Sequence, residues 1–319
     1  MEKLKRVMAV MAVLILMILL VLSSTDIVLK EQVNTVYHIS VITNDLTDTG
    51  FMNYKSGMDQ ALKEWTADVN MISLYEHKDV EQQMELILRE IENGAQVVIV
   101  FPVDSIRLTE LLEENPVNVP VIYVSSWASS EKVAACIHAN DYERGQKLAR
   151  TMIAGLSHRD SVIYAFREGI QGTEADALYE GVRDACKEQN VRVELCSYME
   201  TSNLDMQVRR VMAGSDTNIL LALDTPTLTY MLQQYRELEN LPNPIYGNGY
   251  NNYILHYLSN GALDGITIHN DYDMGYVSVK TAVTLLEEHT APRDILVDSY
   301  TILPTEVYSD TYEKILFPI

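Results

Sequence analysis

Polar and aromatic side chains follow several short apolar segments of the sequence, at positions that would suit a small polar molecule. Asp224 comes directly after one such segment, and Asn248 and Tyr250 follow another within GNGYNN. His269 and Asn270 lie at the end of a third. Carboxylate, amide and hydroxyl groups hydrogen-bond a polar ligand, while aromatic rings cover its apolar faces. The chemistry that these residue types indicate is noncovalent binding.

Catalytic motifs are not found in the sequence. It contains no Gly-rich dinucleotide loop, no phosphate-binding loop, no zinc-protease helix and no nucleophile elbow. The histidines His77, His138, His158, His256 and His269 are scattered without the spacing of metal ligands. We therefore expect a binding protein without cofactor or metal. An enzyme acting on a small polar metabolite is the alternative.

The three cysteines, Cys136, Cys186 and Cys196, form no CxxC pair. Neither a zinc site nor dithiol redox chemistry is therefore indicated. Buried free thiols are the favoured interpretation, and a Cys186–Cys196 disulfide stays open.

The charge of the chain bears on its partners. The formal net charge is −21, and such an acidic surface repels the phosphates of nucleic acids. With 47% hydrophobic residues over 319 positions, the chain has enough apolar side chains for roughly two domains. We expect a globular protein that does not bind nucleic acid.

The N-terminus has the layout of a secretory signal or a signal anchor. Lys3, Lys5 and Arg6 precede an unbroken apolar run, Val7–Leu22, after which polar residues follow. No lipoprotein cysteine and no good small-x-small cleavage site follow the run, which favours an uncleaved transmembrane anchor over a cleaved signal peptide. Residues 1–26 would then hold the protein in the cell membrane. Residues 27–35 would be a linker, with the binding domain outside the cytoplasm.

The remaining sequence alternates apolar runs of strand length with longer amphipathic segments, which predicts parallel sheets covered by helices. One open sheet with this many strands would be unusually wide, so two doubly wound α/β lobes are the economical interpretation. Ligands bind such sheets beyond the carboxyl ends of the strands. The predicted strands are Val36–Ile42, Val69–Leu74, Val97–Phe101, Pro120–Val124, Ser161–Phe166, Val191–Cys196, Asn218–Leu223, Ile245–Tyr246 and Ile266–His269, followed by an extended stretch, Ile295–Leu303.

Several segments, in their order along the chain, resemble the type 1 periplasmic-binding protein family, particularly its ribose and related sugar-binding branch. The similarity extends over about residues 36–305. The ligand-binding lobes of lac-type repressors are related, but a DNA-binding helix-turn-helix precedes them where this chain has an apolar segment. The segments are TNDLTDTGFMNYKSG (43–57), GAQVVIVFPVDS (94–105), VPVIYVSS (119–126), HANDYERGQKLA (138–149), GTEADALYEGV (172–182), LALDTPT (221–227), IYGNGYNN (245–252) and GALDGITIHNDYDMGY (261–276).

The resemblance implies that the chain crosses between the two lobes three times, at a three-strand hinge. The crossings are expected near His138–Asp141, His269–Asn270 and Val297–Tyr300. Lobe one would then comprise residues 36–138 with 270–296, and lobe two residues 139–269 with 297–319. Hinge closure would trap a ligand between them.

The resemblance also implies ligand contacts in lobe one. Phe51 lies at the family's ring-stacking position, and Asn44 and Asp48 lie in the loop before it. A core position for Phe51 and simple loop caps for the two polar residues are the alternatives. Ser125, Ser126 and Trp127 stand where the sugar binders place an Asp-Arg pair, and Trp127 would supply a stacking face.

The contacts implied in lobe two include departures from the family pattern. Asp176 stands where the family often has an arginine, and Asn248, with Tyr250 nearby, replaces a ligand-binding carboxylate. Asp224 matches a polar contact position. His269 and Asn270 lie at a hinge strand end where an amide often contacts sugar. An ordinary helix N-terminal charge for Asp176 and purely structural hinge roles for His269 and Asn270 stay open.

Taken together, the resemblance implies an extracytoplasmic binding protein for a neutral sugar, a monosaccharide, with no covalent chemistry. An anionic ligand is disfavoured because Asp48, Asp176 and Asp224 would repel it. Two membrane partners are open: the permease of an ABC importer, or a sensor histidine kinase for which this protein is the co-receptor. The missing lipoprotein cysteine favours the sensor. A nucleoside or autoinducer is the alternative ligand.

Overall fold

The computed structural model describes residues 2–24, 36–43, 49–75, 79–156, 160–169, 173–215, 217–235 and 243–317. The first helix, α1, is Glu2–Ser24 and belongs to a unit that ends at Val36, separate from Tyr37–Ile319. Among the helices described, none is both long and apolar enough to cross a membrane. The transmembrane anchor expected from the sequence is therefore unconfirmed.

Twelve strands and ten further helices make up the described part of Tyr37–Ile319. The strands are β1 Tyr37–Thr43, β2 Ala67–Ser73, β3 Val97–Val100, β4 Val121–Val124, β5 Val133–Ala139, β6 Val162–Glu168, β7 Arg192–Tyr198, β8 Ile219–Ala222, β9 Ile245–Asn248, β10 Gly265–His269, β11 Asp294–Val297 and β12 Ser299–Ile302. The helices are α2 Thr49–Ala61, α3 Val80–Glu92, α4 Ser105–Glu114, α5 Asp141–Ala154, α6 Thr173–Glu188, α7 Thr201–Gly214, α8 Thr225–Tyr235, α9 Asn252–Ser259, α10 Asp271–Glu288 and α11 Glu313–Leu316.

The strands form two six-stranded sheets of the same design. Their orders are β11-β5-β4-β3-β1-β2 and β12-β10-β9-β8-β6-β7. Every neighbouring pair is parallel except β10 and β12. The prediction of two doubly wound α/β lobes is confirmed by this topology. Every residue of the central strands β3, β4, β8 and β9 is buried, because helices cover both sheet faces.

Two predicted details differ from the structure. Val133–Ala139 was not predicted as a strand, yet it is β5 and pairs with both β4 and β11. The extended stretch Ile295–Leu303 is two strands, β11 and β12, which belong to different sheets. A single continuous extended segment in the sequence therefore contains a passage from one sheet to the other.

The chain passes between the sheets three times. It leaves the first sheet after Ala139, returns after His269, and leaves again between Val297 and Ser299. After the first passage α5 packs on α6, and after the second α10 packs on α2. The C-terminal residues Val307 and Leu316 are buried in the core of the second lobe.

The same short sequence begins both helices that follow a passage. NDYERG (140–145) begins α5 and NDYDMG (270–275) begins α10. In both cases the asparagine caps the helix, accepting a hydrogen bond from the amide of the residue three positions later. The two lobes therefore have equivalent helix starts. The motifs differ in the core at the residue before the glycine, which is Arg144 in one lobe and Met274 in the other.

Glycines allow the paired helices to approach closely in each lobe. A Cβ at Gly145 would meet the carbonyl oxygen of Leu178, and one at Gly181 would meet that of Tyr142. Gly275 and Gly57 stand in the same relation to Tyr54 and Tyr272. The backbones of α5 and α6, and of α10 and α2, are therefore in direct contact.

The three cysteines are free thiols, so the open possibility of a Cys186–Cys196 disulfide is not realised. Cys136 and Cys186 are buried. Burial raises the pKa of Cys186 to about 12, which keeps that thiol protonated and unreactive.

Gly145→Ala tests the helix contact. Alanine for glycine inside a helix normally stabilises by about 1 kcal/mol. Here the added methyl has to displace backbone, so we expect a loss of about 1–3 kcal/mol in the free energy of unfolding. The control is Gly155→Ala at the end of the same helix, where the nearest atoms lie 3.5 Å from the added Cβ. Chemical denaturation measures both, and equal stability of the two variants would contradict the contact.

Candidate functional site

A cavity of about 850 Å³ lies between the two lobes, at the carboxyl ends of strands from both sheets. The first sheet contributes Thr43 at the end of β1, Phe101 after β3 and Ser125 after β4. The second contributes Glu168 and Tyr198, the last residues of β6 and β7. The other lining residues of this lobe lie at or after the ends of β6 to β10. This is the place where doubly wound sheets bind ligands.

The wall from lobe one is mainly apolar and aromatic. Phe51, at the start of α2, lies 5.8 Å from the ring of Tyr54 and 6.2 Å from that of Phe101. Tyr54 and Phe101 are in edge contact at 4.9 Å. Phe51 and Phe101 line the cavity, and Phe51 is otherwise buried. The wall is therefore a rigid aromatic surface, because its rings pack on one another.

Ser125 occupies a backbone conformation that few non-glycine residues adopt. Its φ is 56°, in the left-handed region, and its amide donates to the carbonyl of Ile137 on β5. Its hydroxyl lies 3.5 Å from the sulfur of Met274. Such local strain concentrates at functional sites, and here it turns the chain at the cavity edge directly after β4.

The wall from lobe two is polar. Asp224, two residues after β8, accepts hydrogen bonds from the amides of Thr227 at 2.8 Å and Glu168 at 3.3 Å. It therefore holds the start of α8 and the end of β6 together while it lines the cavity. The polar and aromatic lining residues of this lobe are Glu168, Glu174, Tyr198, Thr201, Asp224, Thr225, Thr229, Tyr230, Gln233, Asn248, Tyr250, Asn251 and His269.

Behind this wall lies the buried guanidinium of Arg144, which is 1% exposed. Its Nη2 donates to Glu174 at 2.7 Å and forms an ion pair with Asp141 at 3.1 Å. Its Nη1 lies 3.0 Å from Nδ1 of His269. Asn248 also donates to Glu174, at 3.2 Å. A buried charge requires such partners, because without them its desolvation is not compensated.

The network continues through His269 to lobe one. Nε2 of His269 lies 2.8 Å from Asp271, the first residue of α10, which also accepts from the hydroxyl of Tyr250 at 3.0 Å. Asn53 on α2 donates to that same hydroxyl and, at 3.0 Å, to the carbonyl of Ile315. Hydrogen bonds therefore connect the polar cavity wall to the passages of the chain between the sheets.

The environment of the network shifts the ionisation of its members. Burial raises the pKa of Asp141 to about 6, although Arg144 acts in the opposite direction. Burial alone would raise the pKa of Glu174 too, but Arg144 and His269 lower it, and the carboxylate stays ionised. For His269, burial lowers the pKa, while Asp271 and then Glu174 raise it, with a net increase from 6.5.

Six of the residues predicted from the sequence line the cavity: Phe51, Ser125, Asp224, Asn248, Tyr250 and His269. Four others do not. Trp127 is 48% exposed, and Ser126 is buried outside the lining. Asp176 forms an ion pair with Arg167, and Asn270 caps α10. Asn44 and Asp48 lie outside the described residues.

Sequence reasoning missed the carboxylates Glu168, Glu174 and Asp271 and the arginine behind them. Glu168 ends a strand, and that position was a usable signal because strand ends face the cavity. Arg144 and Glu174 lie within helices, where single polar residues normally face solvent. Over the ranges that the structure describes, no group of three His, Cys, Asp or Glu residues is placed to hold a metal ion.

Comparison with known proteins identifies the family to which this architecture belongs. The sequence model of the periplasmic binding protein domain matches residues 39–290. The chain belongs to the periplasmic binding protein family. The resemblance of its sequence segments to the type 1 branch is confirmed. Among curated proteins, none has a sequence that matches this chain.

Solved structures share the fold of this periplasmic binding protein. An ABC transporter solute-binding protein from Agrobacterium vitis, bound to α-D-tagatopyranose, superposes with a TM-score of 0.78 at 14% identity, over 88% of this chain and 98% of its own. A carbohydrate transporter solute-binding protein from Agrobacterium radiobacter, in complex with D-arabinose, gives 0.76 at 15%, over 88% and 99%. A LacI-type transcriptional regulator from Bacteroides fragilis gives 0.70 at 14%, over 86% and 99%. At these identities the likeness shows the fold alone.

Tyr250→Phe tests the connection between the lobes. The variant loses the hydroxyl that donates to the buried Asp271 and accepts from Asn53. We expect a loss of about 1–3 kcal/mol in the free energy of unfolding, because a hydrogen bond to a charged group is removed. Tyr75→Phe, at an exposed tyrosine, is the control and should change nothing. Urea denaturation gives both values. A Tyr250→Phe variant as stable as the parent would show that the bond contributes nothing.

Proposed function

We propose that this periplasmic binding protein is an extracytoplasmic solute-binding protein for a neutral monosaccharide, which it binds reversibly without covalent chemistry. The observation that carries the proposal is the pairing of two different walls in one cavity. Phe51 and Phe101 offer an aromatic surface to the C–H face of a sugar ring. The opposite wall offers carboxylates, amides and hydroxyls to the ring hydroxyls.

The charge of the cavity supports a neutral ligand. Glu168, Glu174, Asp224 and Asp271 line it, and among the described lining residues only His269 can carry a positive charge. A phosphorylated or carboxylated sugar would meet these carboxylates in a partly dehydrated space, where repulsion is stronger than in water. Hydroxyl groups instead donate to the same carboxylates.

The three passages between the sheets support a hinge. Each lobe supplies only one wall, so a ligand has full contacts only when both lobes surround it. Binding would then favour the closed arrangement by the difference in contact free energy between open and closed forms.

The proposed partner is the membrane component of an ABC importer. The sugar-bound structures that superpose on this chain are described as solute-binding proteins of transporters, which supports import. The sensor histidine kinase, which the missing lipoprotein cysteine favoured in the sequence, has no comparable support. The basic and apolar residues of 1–26 are consistent with export of the binding domain.

Thermal unfolding of the full chain tests the ligand class. The panel contains D-arabinose, D-tagatose, D-ribose and D-galactose, with sugar acids, nucleosides and amino acids as comparisons. A ligand at a hundred times its Kd adds about 2.7 kcal/mol to stability, so we expect a rise in Tm with at least one neutral sugar. A rise with a nucleoside or amino acid and none with sugars would overturn the ligand class. Mass spectrometry should recover the sugar unchanged, and a product would point to an enzyme.

Phe51→Ala and Trp127→Ala locate the stacking surface. Phe51 lines the cavity, whereas Trp127 lies outside it. We expect Phe51→Ala to weaken sugar binding by about tenfold or more, through loss of ring contact. Trp127→Ala should leave Kd unchanged. Calorimetric titration gives the Kd of both variants. A weakened Trp127→Ala together with an unchanged Phe51→Ala would move the site to Trp127.

A further inference from the structure

The fold does not require an arginine at position 144. The equivalent position in the repeated motif is Met274, which is fully buried in lobe one and accommodated without ion pairs. Arg144 occupies the same place at the start of α5 and is equally buried. A buried guanidinium is less favourable than a hydrophobic residue of similar volume unless its partners compensate for its desolvation. Its presence on one side of a symmetric framework therefore calls for a reason other than packing.

The partners of Arg144 point to the cavity. Glu174 and His269 both line it, and Asp141 lies at the first passage between the sheets. Arg144 itself is not among the lining residues. A guanidinium holds several acceptors in a fixed planar geometry, so Arg144 determines where Glu174 and His269 are placed relative to a ligand.

Glu174 has the geometry of a ligand contact. Its side chain is 29% exposed and lines the cavity. The hydrogen bonds from Arg144 and Asn248 both reach Oε1. Within the described part of the chain, neither of these two bonds uses Oε2. This second oxygen of the ionised carboxylate can therefore accept from a donor in the cavity. A sugar hydroxyl is such a donor, and its bond to a carboxylate is charge-assisted.

His269 is oriented by its neighbours. Because a guanidinium only donates, Nδ1 of His269 must accept from Arg144, which requires a neutral ring with its proton on Nε2. Nε2 then donates to Asp271. Both ring nitrogens are used within the protein, so His269 supports the network and is not itself the hydrogen-bonding contact that the sequence suggested.

We propose that the Glu174 carboxylate is a sugar-binding contact of this cavity, and that the buried Arg144 is the positioning residue that fixes Glu174 and His269 in place. The inference rests on the proposed function, since it names the group that recognises the sugar hydroxyls. It also ties recognition to the hinge, because Asp141 and Asp271 at the ends of the network begin the two helices that follow the passages.

Variants at Glu174 and Arg144 test the two roles, with the panel sugar that gives the largest rise in Tm as the probe. We expect Glu174→Gln and Arg144→Lys each to raise Kd by about tenfold or more, since a charge-assisted hydrogen bond is lost or misplaced. Lysine keeps the charge but cannot hold three acceptors in one plane. The matched controls are Glu188→Gln and Arg150→Lys, at exposed positions of the same helices, and their Kd should equal that of the parent.

The pH dependence of binding by the unmodified chain is a second test, which does not depend on a variant's folding. Protonated His269 cannot accept from Arg144, and it is faced by Asp271, Glu174, Arg144 and Asp141. Its pKa lies above 6.5, so Kd should rise as pH falls from about 8.5 to 6.5. His269→Gln retains an acceptor for Arg144 and does not titrate, so its Kd should rise less than that of the parent over that range, where Asp141, with a pKa of about 6, still begins to titrate.

The outcomes separate the claims. Failure of every panel sugar to bind the parent chain overturns the proposed function, and the Glu174 contact with it. Sugar binding by the parent with an unchanged Kd in Glu174→Gln overturns only the contact. An unchanged Kd in Arg144→Lys, or a parent Kd that is flat between about pH 8.5 and 6.5, overturns the positioning role.

Discussion

A buried guanidinium must find acceptors, and those of Arg144 connect the elements that shape the cavity. They come from the first turn of α5, from α6 and from the end of β10. The first passage between the sheets, the polar wall and the second passage are thereby held in one arrangement. A ligand that contacts Glu174 adds to a network that already extends to Asp271 and, through Tyr250, to Asn53 in the other lobe. If the proposed function holds, recognition and hinge geometry depend on the same few bonds.

The two lobes share a framework and differ in what they present. Each lobe has one helix that begins with NDYxxG, and both lobes bring paired helices into backbone contact through glycine. Lobe one fills the equivalent core position with Met274 and presents aromatic rings, while lobe two fills it with Arg144 and presents carboxylates and amides. A sugar, with apolar faces and a polar rim, fits between such unlike walls better than between two of either kind.

The fold was largely predictable from the alternation of apolar runs and amphipathic segments, because strands buried on both faces and helices buried on one have different periods. Part of the site was predictable at strand ends, as for Asn248 at the end of β9 and Asp224 shortly after β8, and the family resemblance pointed to Phe51 in α2. The residues of α5 and α6 were not predictable in this way. The sequence predicted a ligand contact for Asp176, but Asp176 pairs with Arg167 and Glu174 lines the cavity instead. Residues two apart on a helix point in different directions. Long-range pairing such as Arg144 with His269 leaves no local pattern.

A crystal structure of the protein with its best-binding panel sugar would show where the ligand lies and which side chains it contacts. We expect the sugar in the interlobe cavity, with its ring against Phe51 and a hydroxyl within hydrogen-bonding distance of Glu174, while Arg144 keeps its bonds to Glu174 and His269. A sugar bound away from this cavity would disprove the proposed site, and one bound in it without a contact to Glu174 would disprove the proposed role of that carboxylate.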